Sequence, residues 1–183
     1  MAKKKKPAGE GNGASKKTEA AKKPSPTAAA ETPDMEEAQF GILVQFIKDL
    51  SFESPNAPMS LQAPGENPKL EVNIQVQVAR HTDEIYEVDL AFTAKAESDV
   101  GVIYNVELVY GSMFSIMGVP EDYLLPVLYA DAPTILFPFL RRVVADITRD
   151  GGFQPLMLDP IDFGAMYHQN SENATIQDLR PTN

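Results

Sequence analysis

The chain has 183 residues, 43% of them hydrophobic and none of them cysteine, which excludes disulfide frameworks, thiolate zinc sites and cysteine nucleophiles. Its net charge of −10 is uneven: residues 1–30 hold eight lysines against Glu10 and Glu19, a local +6 that leaves −16 for the rest. A body this acidic repels phosphate backbones and favours basic partners, which argues against nucleic-acid binding by the folded part.

In chain order, residues 1–34 are rich in Lys, Ala and Pro and carry no large apolar side chain beyond Met1. The sequence predicts a disordered N-terminal extension there. A solubilising tail is its plain reading, and an electrostatic tether to anionic lipid or RNA the sharper one. No apolar h-region follows the lysines, so a secretory signal is not indicated. No run of about 18 apolar residues suggests a membrane span either, and the chain reads as cytoplasmic. A single domain is expected over 35–170, with a flexible polar tail over 171–183.

Four strands come first. Phe40 to Glu53 is branched, aromatic and closed by a Pro-Asn-Ala-Pro turn; its end, DLSFE, puts Leu50 and Phe52 on one face and Asp49, Ser51 and Glu53 on the other. KLEVNIQVQVAR alternates cleanly, with Leu70, Val72, Ile74, Val76 and Val78 together. EIYEVDLAFTAKAE alternates with a slip at Tyr86 and Glu87 that reads as a bulge. VGVIYNVELVYGSMFSI is almost continuously apolar, the mark of a strand covered on both faces.

Helices follow. Pro120 with Glu121 and Asp122 is a helix start, with proline in the first helical position. Pro126, Pro133 and Pro138 forbid one straight helix. From Thr134 to Asp150 a stripe of Leu136, Leu140, Val143, Val144 and Ile147 predicts a long amphipathic piece, ended by Gly151-Gly152. DPIDFGAMYHQ is a short amphipathic segment. Strands and then helices make an α+β fold: a four-stranded antiparallel sheet packed with a long broken helix and a short C-terminal helix. The apolar surplus calls for oligomerisation.

Catalytic constellations are missing from this pattern. His81 and His168 have no ligand spacing, there is no glycine-rich phosphate loop, and no nucleophile elbow surrounds Ser112 or Ser115. The sequence thus indicates no catalytic residue, metal or cofactor. What stands out is surplus apolar and aromatic surface, including Tyr104, Phe139, Phe153, Met113 and Met157. Most of it reads as core and a minority as an open, adaptable groove.

DLSFESPNAP, YGSMFSI, APTILFPFLRRVVADITRDGGF and QPLMLDPIDFGAMY, in this order, resemble SecB, the bacterial protein-export chaperone, over residues 38–170. The resemblance implies a cytoplasmic holdase that keeps unfolded secretory preproteins translocation-competent and delivers them to the SecA motor. It implies a homotetramer, a dimer of dimers with sheets outside and long helices between. Carried over by motif, Asp49, Glu53 and Glu107 are expected to dock a basic part of SecA. Asn105 joins them weakly, because the family is usually apolar there. Phe52, Leu70, Val72 and Ile74 are expected to line a client groove whose movable wall is Phe163, Met166 and Tyr167. Val106, Leu108 and Tyr110 are expected to join the dimers. The alternative is a SecB-like chaperone of a toxin–antitoxin system, holding an antitoxin in the same groove. An enzyme with an unrecognised acidic site is a third and weaker reading.

Overall fold

The computed structural model describes residues 38–180; the extension expected over 1–34 lies outside them, as do the last three residues. The described chain is α+β. It runs β1 (Gln39–Glu53), one helical turn α1 (Met59–Gln62), β2 (Lys69–Arg80), β3 (Ile85–Ser98) and β4 (Gly101–Met117). Then come α2 (Glu121–Pro126), a π turn (Val127–Asp131), α3 (Ala132–Asp150), α4 (Phe163–Asn170) and β5 (Ile176–Asp178). The sheet has five strands rather than four, in the order β1-β4-β3-β2-β5. β5 pairs parallel to Val78–Arg80 of β2, so part of the expected flexible tail is strand. Three residues are too few for periodicity to reveal.

The central strands β3 and β4 have one face under the helices. Tyr86, Val88, Leu90, Phe92, Ala94 and Ala96 all point into the core, joined by Val106, Leu108 and Phe114 of β4. No bulge interrupts Tyr86 and Glu87, because the β2–β3 ladder runs unshifted from Arg80–Tyr86 to Lys69–Glu97. Bulges lie instead in β4, where Ile103 is an extra residue against β3, and in β1, where Leu43 and Lys48 are each an extra residue against β4. Each reverses the inward–outward phase, so the pair cancels: Phe40 and Ile42 face as Leu50 and Phe52 do, but Val44 and Phe46 face the other way. β4 is covered on one face only. Its outer residues Val109, Met113 and Ser115 are half-buried and Glu107 is exposed.

Helix continues for 30 residues, Glu121–Asp150, and is long and apolar enough by length and composition to cross a bilayer, contrary to the sequence reading. Its stripe of Leu136, Leu140, Val143 and Val144 is instead buried in the core with the sheet, and Ile147 is half-buried. Pro120 is the N-cap, one position before the first helical residue. The prolines widen the helix without ending it. Ala132 donates back five residues to the Val127 carbonyl, and Pro133, which has no N–H, comes next.

Gly151 and Gly152 close α3 in a Schellman arrangement: Gly152 N–H donates to the Arg149 carbonyl and Phe153 N–H to that of Thr148. Gly152 sits at φ +89°, and a Cβ there would meet Leu61 Cδ2 of α1 at 3.1 Å. The buried Thr148 hydroxyl donates to the Val144 carbonyl at 2.9 Å and accepts from Leu156 N–H at 2.9 Å, tying the next segment down. Gly152→Ala is expected to lower stability by about 1–2 kcal/mol in urea unfolding, from the left-handed backbone alone.

Candidate functional site

Two surfaces gather residues named from the sequence, one on the outer face of β1 and β4 and one at the β2 edge. On the outer face, β1 and β4 pair Asp49 with Val109, Ser51 with Glu107 and Glu53 with Asn105. Glu107 therefore lies diagonally between Asp49 and Glu53, at about 7–8 Å from each by strand geometry. All three are exposed, and among the described residues no salt bridge reaches them. Asn105, half-buried, and Glu107 also line a depression of about 570 Å³ with Glu71, Asn73, Thr93 and Lys95. The structure brings the four proposed docking residues into one patch.

Beside this patch is an ionic cluster that the sequence reading missed, its two carboxylates buried and its lysine half-exposed. Lys48 Nζ donates to Glu87 Oε1 at 2.7 Å and to Asp89 Oδ2 at 2.6 Å, and His81 Nε2 lies 2.8 Å from Glu87 Oε2. Burial pushes the Glu87 carboxyl up, but the bonds from Lys48 and His81 together outweigh it and hold it below the usual range. Asp89 is pushed up, chiefly by burial and then by the Glu87 charge, against the opposing Lys48. Lys48 is raised, first by Asp89 and then by Glu87. Only long-range pairing across β4 forms this cluster, so neighbouring residues gave no signal of it.

On the inner side, Ile74 and Val76 of β2, Tyr129 of the π turn, and Met166 and Tyr167 of α4 line a groove of about 420 Å³. Asn73, Gln75, Asn170 and Asn173 complete the lining with amides. Tyr129 stacks on Tyr167 with centroids 6.1 Å apart; its hydroxyl donates to the Thr175 carbonyl at 2.6 Å and accepts from Thr175 N–H at 3.2 Å. Tyr129 was missed because its direction depends on the extra residue of the π turn. Of the expected client residues, Ile74, Met166 and Tyr167 meet here. Leu70 and Val72 extend the same face of β2 and are exposed.

Phe52 and Phe163 stand apart from the groove. Phe52 is on β1, at the far edge from β2 apart from β5, stacked with Tyr104 at 5.9 Å and near Phe153 at 6.3 Å. Three strand spacings separate β1 from β2, about 14 Å. Phe163 is 1% exposed and edge-on to Phe137 at 5.8 Å, which makes it the anchor of α4 and not part of a movable wall. Val106 and Leu108, each 1% exposed, and Tyr110, also buried, pack in the chain's own core, so they leave no area for joining dimers. Alternation had placed them on the reverse face correctly, but that face is covered by α3.

A family model described as preprotein translocase subunit SecB matches residues 33–174. A protein-export protein SecB from Zymomonas mobilis is 50% identical over 134 residues, 73% of this chain and 81% of that protein. Its counterpart from Mesorhizobium japonicum is 48% identical over 128 residues, 70% and 77% of the two chains. Among solved structures, a Mycobacterium tuberculosis SecB-like chaperone in complex with a ChAD peptide from the HigA1 antitoxin is similar with a TM-score of 0.54. The identity is 15%, over 67% of this chain and 90% of that one, and the likeness is one of fold alone.

Groove and core separate by mutation. Phe163→Ala is expected to cost about 3–5 kcal/mol in urea unfolding, as a buried aromatic does. Tyr167→Ala is expected to cost under about 1.5 kcal/mol and to reduce fluorescence of a groove-bound apolar dye. Lys48→Met leaves two buried carboxylates facing each other and is expected to cost about 1–3 kcal/mol at pH 7, less than breaking a fully buried pair because the ammonium is half-exposed. In wild type, Glu87 is held low, so its contribution is lost as pH falls through its folded pKa. In the variant the Lys48 bonds that lower both carboxyls are gone and burial is less opposed, so proton uptake is favoured more in the native state than in wild type and acid costs the variant less. The deficit against wild type therefore narrows below about pH 5, as urea unfolding across a pH series would show.

Proposed function

Because the chain belongs to the SecB family, a family of chaperones and not of enzymes, we propose that it is a holdase. In this reading it binds unfolded secretory preproteins in the cytoplasm, keeps them translocation-competent and delivers them to the SecA motor. The observation that carries this is the separation of the groove, at the β2 edge, from the carboxylates Asp49 and Glu53 on the edge strand β1. A client and a basic docking partner can then be held together.

The groove suits clients without a sequence code. Its aliphatic, methionine and aromatic lining is adaptable, and its amides can bond an extended backbone. One such groove binds weakly; several in one assembly raise the avidity. We assign the chain a homotetramer, a dimer of dimers. Phe40, Ile42, Leu43, Val44 and Ile47 are exposed along the edge strand β1, and Ile135 and Phe139 on α3. Such an edge and such a helix face are what a second copy would cover. They take over the joining role that Val106, Leu108 and Tyr110 cannot fill. Release needs no nucleotide at the groove, since the docked motor is placed to capture the precursor.

The antitoxin-holding alternative has less support. The solved chaperone with an antitoxin peptide is similar in fold alone, whereas the relatives at 48–50% identity are named for export.

Asp49→Asn with Glu53→Gln is expected to weaken SecA binding about tenfold at low salt and to leave client binding unchanged. The difference shrinks at high salt, where exposed charges are screened. Unchanged SecA affinity in a calorimetric titration would overturn the docking reading. Size-exclusion chromatography with light scattering, with and without a denatured precursor, tests tetramer and client capture together.

A further inference from the structure

Four consecutive residues of β2, Asn73, Ile74, Gln75 and Val76, line the groove. Successive strand side chains point to opposite faces, so a single face cannot supply all four. What the four share is the backbone edge of β2 that looks away from β3. The groove therefore opens onto main chain as well as onto side chains.

Two hydrogen bonds at the end of β2 fix which backbone groups look out. The Arg80 carbonyl accepts Leu179 N–H at 2.8 Å on the β5 side, and His81 N–H donates to the Ile85 carbonyl at 2.9 Å on the β3 side. In a strand the N–H and C=O of one residue point to one side and those of its neighbour to the other. The β2–β3 ladder has no shift between Arg80 and Lys69, so this alternation carries through. Leu70, Val72, Ile74 and Val76 thus aim both groups away from β3, the last two inside the groove. β5 covers only Val78 to Arg80. Among the described residues, no backbone hydrogen bond reaches the other four on that side.

The chain before β5 is held off this edge. One step further along the parallel register, Thr175 N–H would reach the Val76 carbonyl. It donates instead to the Tyr129 hydroxyl at 3.2 Å, and the same hydroxyl donates to the Thr175 carbonyl at 2.6 Å. The stretch left bare, Leu70 to Val76, is about 20 Å long, the length of an ordinary strand. It has no proline, no bulge and no inward charge, the devices that usually blunt an exposed edge.

We propose that this open edge of β2 is a strand-addition site: an extended client segment hydrogen-bonds to Leu70, Val72, Ile74 and Val76, in line with β5. The proposal rests on the holdase reading and deepens it, naming the ligand as unpaired backbone in extended conformation. β5 shows that the edge accepts a strand, with Ile176 packed inward against the core. An added client strand puts alternate side chains on Tyr129, Met166 and Tyr167 in the same way. Those walls leave width for one strand, whereas a second copy would bring a whole sheet up against α4. Main-chain bonding needs no side-chain code. A folded protein has its own backbone groups paired, so only an unfolded chain can offer a free run of them.

Hydrogen exchange on the full-length chain, resolved to single amides by electron-transfer fragmentation, tests this with reduced, carboxymethylated α-lactalbumin as the unfolded probe. In the free protein the amides of Val72, Ile74 and Val76 are expected to exchange about tenfold faster than those of Glu71, Asn73 and Gln75, which bond β3. At saturating probe the three fast amides are expected to slow about tenfold. Protection already present without probe would assign the edge to a second copy and overturn the proposal. Val72→Pro separates hydrogen bonding from simple shielding, because it removes one outward N–H and leaves the β3 ladder intact. Against Val72→Ala, which loses the same side chain, it is expected to bind the probe about tenfold more weakly, with circular dichroism and light scattering unchanged. Equal affinity of the two variants, or a bound probe that leaves the three amides fast, would overturn strand addition while the holdase reading stands. A wild-type chain that does not bind the probe at all would overturn both. If Val72→Pro does not fold, the exchange result on wild type decides.

Discussion

Leu136, Leu140 and Val144 of α3 share one core with Val88, Leu90, Phe92, Val106 and Leu108 of the two central strands. This one-sided burial is the constraint on which the rest of the structure depends. With a period of two, a strand that commits one face to a helix must offer the alternate residues to solvent or to a partner. The helices cover only the inner face, and they leave β1 and the outer half of β2 bare. An acidic ledge on the outside and a groove of mixed apolar and amide lining at the β2 edge both follow from where the helix cover stops.

The irregularities fall where those surfaces need aiming. Two bulges in β1 reverse the strand's phase and restore it, so the apolar start and the acidic end of one strand take the faces they do. A π turn before Pro133 turns Tyr129 toward Tyr167 and the chain after α4. Thr148 bonds the Leu156 amide and so directs the chain that leads back to α4. Each departure from ideal geometry sits next to a proposed working surface, where local strain and polar burial tend to collect.

Much of this was legible because it is periodic. The alternation in KLEVNIQVQVAR and the stripe in α3 predicted the strand, the helix and the inward faces without any tertiary information. The same reasoning separated Glu107 from Val106 and Leu108. It went astray where one residue changes the phase. The slip was expected at Tyr86 and Glu87 but slips occur at Leu43, Lys48 and Ile103, because runs such as FGILVQFIKDL and VGVIYNVELVY are apolar enough to hide a bulge. Phe163 and Tyr167 looked alike in sequence, and burial alone divides anchor from groove.

The sequence by itself determined the acidic balance, the absence of thiol chemistry, the main strands and helices, and the family, since composition, periodicity and motif order are local properties of the chain. Tertiary structure decided what depends on contacts between distant positions. It set the fifth strand beside β2, the ion pairs of Lys48 with Glu87 and Asp89 across β4, and the burial of Val106, Leu108 and Tyr110 under α3. Pairing partners and face coverage are fixed only when strands far apart in the chain are brought into register, and no window along the sequence contains that information.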